Sequence, residues 1–244
     1  MRLSYSDIEG FAESALNGFM YALTSQVKWI RPIPIDNFTT HFLGLRLEYM
    51  RLSDNGNMLG ITTYGDTKIK LTRYFREEIV SVPKNTVLID ERLMPPLQLF
   101  EPDKELARRR FTIAHECAHH MLYHMEPEER RRELECRYSA RMYSLRELKS
   151  LDDWSEWQAN ALAAAIIMPK KYIELLLRNR RLTLYGKRLN RPDKLLLANI
   201  CDRLKVSRTA MTLRLKQLGY AIVLPPDAYN DPTDIECDND YFLF

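Results

Sequence analysis

Five histidines occur in the chain, and two of them flank a glutamate four residues apart, as His115-Glu116-Cys117-Ala118-His119. On an α-helix, positions four apart differ by about 40° of azimuth, so both imidazoles leave one face. Two imidazoles on one face are what two ligands of a single Zn²⁺ need. Glu116 lies next to that face and can serve as general base toward a water without being a ligand. The plain alternative is a helix with satisfied surface histidines. The setting argues against it, because Phe111, Ile113, Ala114 and Ala118 surround the motif with apolar or small residues. Such a helix is expected to be buried, and buried imidazoles require partners.

An open zinc site takes a third protein ligand and leaves one position for water. Glu156 and Asn160 stand i, i+4 at the start of a second apolar helix over residues 154–168. Glu156 can complete a His-His-Glu set. Asn160 can accept a hydrogen bond from the outer nitrogen of a ligand imidazole and fix its tautomer. Taken by itself, Glu156 fits equally well as an N-terminal helix charge favoured by the macrodipole. His120 and His124 form another i, i+4 pair, about 100° from the first, with no glutamate between them. They are read as surface residues or as supports of the first pair. An oxyanion stabiliser is expected as well, with Tyr123, Tyr138, Tyr143 and several arginines as candidates.

Together these segments resemble the ImmA/IrrE metallopeptidases. Arg109-Arg110-Phe111-Thr112-Ile113-Ala114-His115-Glu116 follows that family's R-R-F-T-[LI]-A-H-E-x-x-H pattern. Glu156-Trp157-Gln158-Ala159-Asn160-Ala161-Leu162-Ala163-Ala164 follows its E-x-x-A-N-x-F-A pattern, and Ile167-Met168-Pro169 its hydrophobic-Met-Pro close. The resemblance covers roughly residues 32–224 and is specific at two separated motifs. It implies a zinc endopeptidase of the Glu-zincin type, encoded on bacterial chromosomes and mobile elements. It also implies a protein substrate, a helix-turn-helix repressor whose cleavage releases its genes. Two features depart from the pattern. Cys117-Ala118 stands where the family commonly has Leu-Gly, and 37 positions separate His119 from Glu156, more than the family usually has. Cys117 projects about 200° from His115 and is expected in the core.

The elements that must hold these residues can be read from periodicity. Ser6-Asp7-Ile8-Glu9 fits a capping box, and apolar residues at helical spacing predict a helix over residues 7–26, additional to the family pattern. Asp36 is expected to cap a short helix through His41. From residue 44 to 90, alternation such as Leu45, Leu47, Tyr49 predicts three to five strands in a small, mostly antiparallel sheet. Over residues 126–150, 13 of 25 are Glu, Arg or Lys. Leu134, Tyr138, Met142, Leu145 and Leu148 still keep one apolar stripe, so an inserted amphipathic helix is expected. A helix from Pro192, a turn at Lys205-Val206-Ser207 and a second helix ending at Gly219 look like a helix-turn-helix. The fold class is therefore α+β: a zincin-like core followed by a helix-turn-helix-like module. The expected divisions are an N-terminal helical extension at 1–35, a zinc peptidase core at 36–172, the basic module at 173–224 and an acidic tail at 225–244.

Charge separates along the chain. Residues 170–220 hold 14 basic and 3 acidic residues, a net of +11 in a chain whose total is +3. Residues 225–244 hold six acidic residues and no basic one, and end Tyr241-Phe242-Leu243-Phe244. That tail is either loose or folded back on the basic module. The module itself has two readings: DNA contact in a major groove, or docking of a protein substrate. Its second helix offers few base-reading side chains, which favours docking, with Arg208 and Arg214 as candidate contacts and no sequence-specific DNA binding. The alternative for the whole chain is a non-catalytic regulator that binds a repressor or DNA and uses zinc structurally. An intact Glu116 argues against that, since a structural site needs no base. Several classes drop out. No G-x-G-x-x-G or G-x-x-x-x-G-K-[ST] loop occurs. The four cysteines include no C-x-x-C, which excludes a Cys-only zinc knuckle and speaks against a disulfide scaffold. The N-terminus carries no signal-peptide run, and the apolar stretch at 161–168 is too short to span a bilayer. A soluble cytoplasmic protein with no membrane partner is expected.

Overall fold

The computed structural model describes residues 3–22, 31–53, 56, 58–73, 76–96, 103–140, 142–144 and 156–229. Helix α1 (Tyr5–Ala22) buries Ile8, Ala12, Leu16 and Phe19, one stripe at helical spacing. Its capping box begins at Ser4, two residues earlier than the Ser6 expected. The Ser4 hydroxyl donates to Asp7 Oδ2 at 2.7 Å and accepts from the Asp7 amide at 3.2 Å, while the Ser4 amide donates to the same carboxylate at 2.9 Å. The expected residues 23–26 of this helix lie outside the described residues. A short helix α2 (Ile35–Asn37) runs on into a π-helical turn, Phe38–Phe42. Pro34, not Asp36, stands at its N-cap, and Asp36 instead receives Arg109 Nη1 at 3.1 Å.

The five strands of residues 46–90 form, but not as one mostly antiparallel sheet. In the first sheet β5 (Thr86–Asp90) lies between β1 (Arg46–Met50), which is parallel to it, and β2 (Gly60–Thr63), which is antiparallel. In the second, β3 (Thr67–Arg73) lies between its antiparallel hairpin partner β4 (Arg76–Val82) and a parallel β6 (Met142–Ser144). The break between β2 and β3 falls at Tyr64-Gly65-Asp66, where helix α4 (Glu128–Ala140) presses in. A Cβ on Gly65 would stand 2.8 Å from the Glu135 carbonyl oxygen. The charged stretch after residue 126 is thus a helix only to Ala140, burying Leu134 and Tyr138; Met142 belongs to a strand instead. Leu145 and Leu148 lie outside the described residues.

Helices α3 (Asp103–His124) and α5 (Glu156–Ile167) pack against each other at the centre. Fully buried Ala114, Ala118, Ala159 and Ala163 keep both contact faces small, which brings the two backbones close. Pro169 ends α5 and precedes α6 (Lys170–Leu177). Helices α7 (Arg191–Leu204) and α8 (Arg208–Gln217) meet at Lys205, which takes φ 52°, and Ser207 caps α8 by accepting the Ala210 amide at 3.1 Å. A small sheet that periodicity did not announce joins this pair. In it β7 (Leu182–Tyr185) is antiparallel to β8 (Arg188–Leu189) and parallel to β9 (Ala221–Leu224). One continuous apolar core runs through Ile8 and Phe19 of α1, Ile113 of α3, Ile166 of α5, Ile200 of α7 and Leu215 of α8. No helix among the described residues is long and apolar enough to cross a membrane.

Candidate metal centre

The i, i+4 spacing on α3 turns His115 and His119 to one side, and α5 begins opposite them with Glu156. His115 Nε2 and His119 Nε2 stand 3.0 Å apart. Glu156 Oε2 is 3.2 Å from the first ring and Oε1 is 3.7 Å from the second. Two ligands on a tetrahedron with metal bonds of about 2.1 Å stand roughly 3.4 Å apart, and these three separations straddle that value. Among the described residues this is the group of His, Cys, Asp and Glu donors close enough to share one ion. The nitrogen–nitrogen–oxygen set suits a metal of zinc's character. His119 is buried and His115 half-buried, whereas the Glu156 side chain is 61% exposed. The group is therefore open to solvent on the α5 side.

Glu116 is 3% exposed and lies against β2. The Thr62 hydroxyl lies 3.0 Å from Glu116 Oε2 and donates there, at the same distance from the Glu116 carbonyl oxygen. Gly60 completes the seat. A Cβ at that position would lie 2.7 Å from Glu116 Oε1 and 2.8 Å from its Cγ, so the carboxylate fits only because residue 60 has no side chain. Sequence reasoning did not find Thr62 or Gly60. The one available signal was a glycine opening a β-branched strand, which also marks bulges and close backbone approaches in general.

The remaining candidates separate. Asn160 is exposed one turn beyond Glu156 and makes no hydrogen bond to either ring among the described residues. His120 is buried rather than on the surface; burial, then the charge of His124, pushes its pKa down to about 3. It is therefore neutral, 4.4 Å between ring centroids from exposed His124 and apart from the ligand group. Two tyrosines considered for the oxyanion belong to a second core instead. Tyr123 stacks on Tyr64 at 4.4 Å and donates its hydroxyl to Glu135 at 2.8 Å, while Tyr138 meets Tyr64 edge-on. The Tyr143 side chain lies outside the described residues. Cys117 is in the core as expected, 3.1 Å from the Thr39 hydroxyl, with burial pushing its thiol up to about 12.

On α8, Arg208 is exposed, but Arg214 is not available to a partner. It is 2% exposed, ion-paired with Glu9 of α1 through both carboxylate oxygens, and its Nε donates to the Met168 carbonyl at 3.3 Å. A charged residue in a basic helix was read as a solvated contact; here it is an internal tie.

No curated protein matches the chain. Residues 58–216 match the IrrE N-terminal-like domain of peptidase family M78. That span is narrower than the resemblance drawn from motifs, yet it contains α3 and α5 whole, with Gly60, Thr62 and every member of the ligand group. It leaves α1 outside. Covering well over half of the sequence, the match makes this chain a member of the IrrE N-terminal-like, M78 metallopeptidase family.

Proposed function

We propose that the chain is a zinc-dependent endopeptidase of the Glu-zincin type. Its substrate is a protein, a helix-turn-helix transcriptional repressor, and cutting it relieves repression. The observation that supports this best is the convergence of His115, His119 and Glu156 beside a buried, hydrogen-bonded Glu116 that stays out of the ligand group. A regulator with structural metal would have no use for a carboxylate held in that way.

His115, His119 and Glu156 hold the ion. When bound, Zn²⁺ polarises the scissile carbonyl and lowers the pKa of water at the site to about 7. Glu116 takes a proton from the attacking water and passes it to the leaving amide nitrogen. The Thr62 hydroxyl, donating to Oε2, holds the carboxylate in place. Burial of Glu116 keeps bulk water from competing for the proton, and the exposed edge at Glu156 admits the extended substrate. Arg208, on the exposed side of α8, contacts the intact substrate protein away from the cut site; the module has no part in sequence-specific DNA reading. The enzyme acts in the cytoplasm.

Glu116→Gln keeps size and most hydrogen bonding but removes the base. The variant is expected to retain its zinc and its affinity for the repressor substrate while peptide cleavage disappears. Cleavage at the wild-type rate would overturn the mechanism.

A further inference from the structure

Glu156 is the first residue of α5, and helix ends are where backbone groups lack intrahelical partners and fray. A metal ligand there needs outside support. The two residues after it supply the anchorage. The Trp157 indole N–H donates to the Tyr5 hydroxyl at 3.0 Å, and the two rings pack edge to face with centroids 4.6 Å apart. The buried Gln158 Oε1 accepts the Leu3 amide at 2.6 Å. Leu3 and Tyr5 are themselves held by the Ser4–Asp7 capping box. The far end of α5 is tied to the same helix. Arg214 reaches the Met168 carbonyl with Nε and Glu9 of α1 with its other two nitrogens. All the α1 residues in these contacts precede the family match, which starts at residue 58.

We propose that the N-terminus of α1 is a brace for the metal centre: Tyr5 and Trp157 are positioning residues that hold the first turn of α5 so that Glu156 faces the two histidines. The inference rests on the assignment of Glu156 as a metal ligand. Residues that orient ligands without touching the metal typically change affinity by about 10–100-fold when removed. The brace falls in that class because it fixes the ligand's own helical turn.

Three variants test it. Tyr5→Ala removes the hydroxyl and the ring, Tyr5→Phe removes the hydroxyl alone, and Tyr21→Ala removes a ring that is 89% exposed at the other end of α1. Two quantities are measured on the full chain: the Zn²⁺ dissociation constant, by competition with a chromophoric chelator, and the visible absorption of the Co²⁺-loaded protein. Tyr5→Ala is expected to weaken Zn²⁺ binding about tenfold or more and to change the Co²⁺ band. Tyr5→Phe should show a smaller loss in the same direction, and Tyr21→Ala should match wild type in both readouts. A folded Tyr5→Ala with wild-type affinity and spectrum overturns the brace. If Tyr5→Ala does not fold, Tyr5→Phe and Trp157→Phe decide it, and wild-type affinity and spectrum in both overturn it. Wild-type protein that takes up neither ion overturns the metal assignment itself, which is a different failure.

Discussion

Glu156 is the most exposed member of the ligand group, and its removal has the most direct readout. Glu156→Ala leaves two imidazoles and should lower the zinc content of purified protein from about one per chain to a small fraction, measured by elemental analysis. Full retention would remove Glu156 from the ligand set. Gly60→Ala addresses the base instead. Its Cβ would meet Glu116 Oε1 at 2.7 Å, so the carboxylate must leave its seat. Turnover should fall about 10²-fold or more, within the range that a positioned base contributes, while zinc content stays unchanged. Normal turnover in that variant would show that the seat does not matter. The residues of this site differed in how they could be read. His115, Glu116 and His119 were legible because one helical turn writes their geometry into their spacing. Gly60 and Thr62 were not, since the Thr62–Glu116 contact joins residues 54 positions apart and a strand residue carries no ligand-like spacing. Arg214 was misread for the same reason, its partner Glu9 lying 205 positions away.

Among the elements, α8 and α1 are joined by the buried Glu9–Arg214 pair. Arg214→Ala strands a half-buried carboxylate and should cost about 3 kcal/mol, visible as a lower urea midpoint with little change in slope. Adding Glu9→Ala should recover part of that loss. A second element-level tie is acid-sensitive. Asp90 ends β5 and accepts from the Leu52 amide and from Arg92. Burial alone would raise its pKa, but the Arg92 hydrogen bond, the amides of Leu52 and Arg92, and the Arg92 charge together hold it below the ordinary 3.8. A carboxyl lowered in the folded state stabilises the fold above its unfolded value and loses that contribution as pH falls through the folded one. Thermal scans should therefore show wild type losing stability below about pH 4, and Asp90→Asn, less stable at pH 7, losing less of it there. The five strands of residues 46–90 were predictable from alternation. Their division into two sheets was not, because it depends on Gly65 meeting the backbone of α4, a contact between segments some 70 residues apart.

On the scale of the whole molecule, the helices of the basic block are packed into the same core as the helices that carry the metal ligands. Apolar side chains from α1, α3, α5, α7 and α8 share one interior. Two of the cysteines report on that interior. Burial pushes the thiols of Cys117 and Cys201 up to about 12, while Cys136 is exposed. Iodoacetamide at pH 8 should modify Cys136 in native protein and reach Cys117 and Cys201 only after denaturation, as peptide mass mapping would show. Early labelling of Cys201 would mean that α7 opens independently of the rest.

Helix α1 precedes the stretch that matches the family model, yet its Ile8, Ala12, Leu16 and Phe19 are interior residues. The stretch that matches the family model is therefore smaller than the stretch that packs into one core. A recombination joint at residue 58 would carry over the histidines, the glutamates and the glycine seat, but would leave an oily face on α5 without its cover. A chain trimmed to the matched boundary is therefore expected to aggregate although its catalytic sequence is intact.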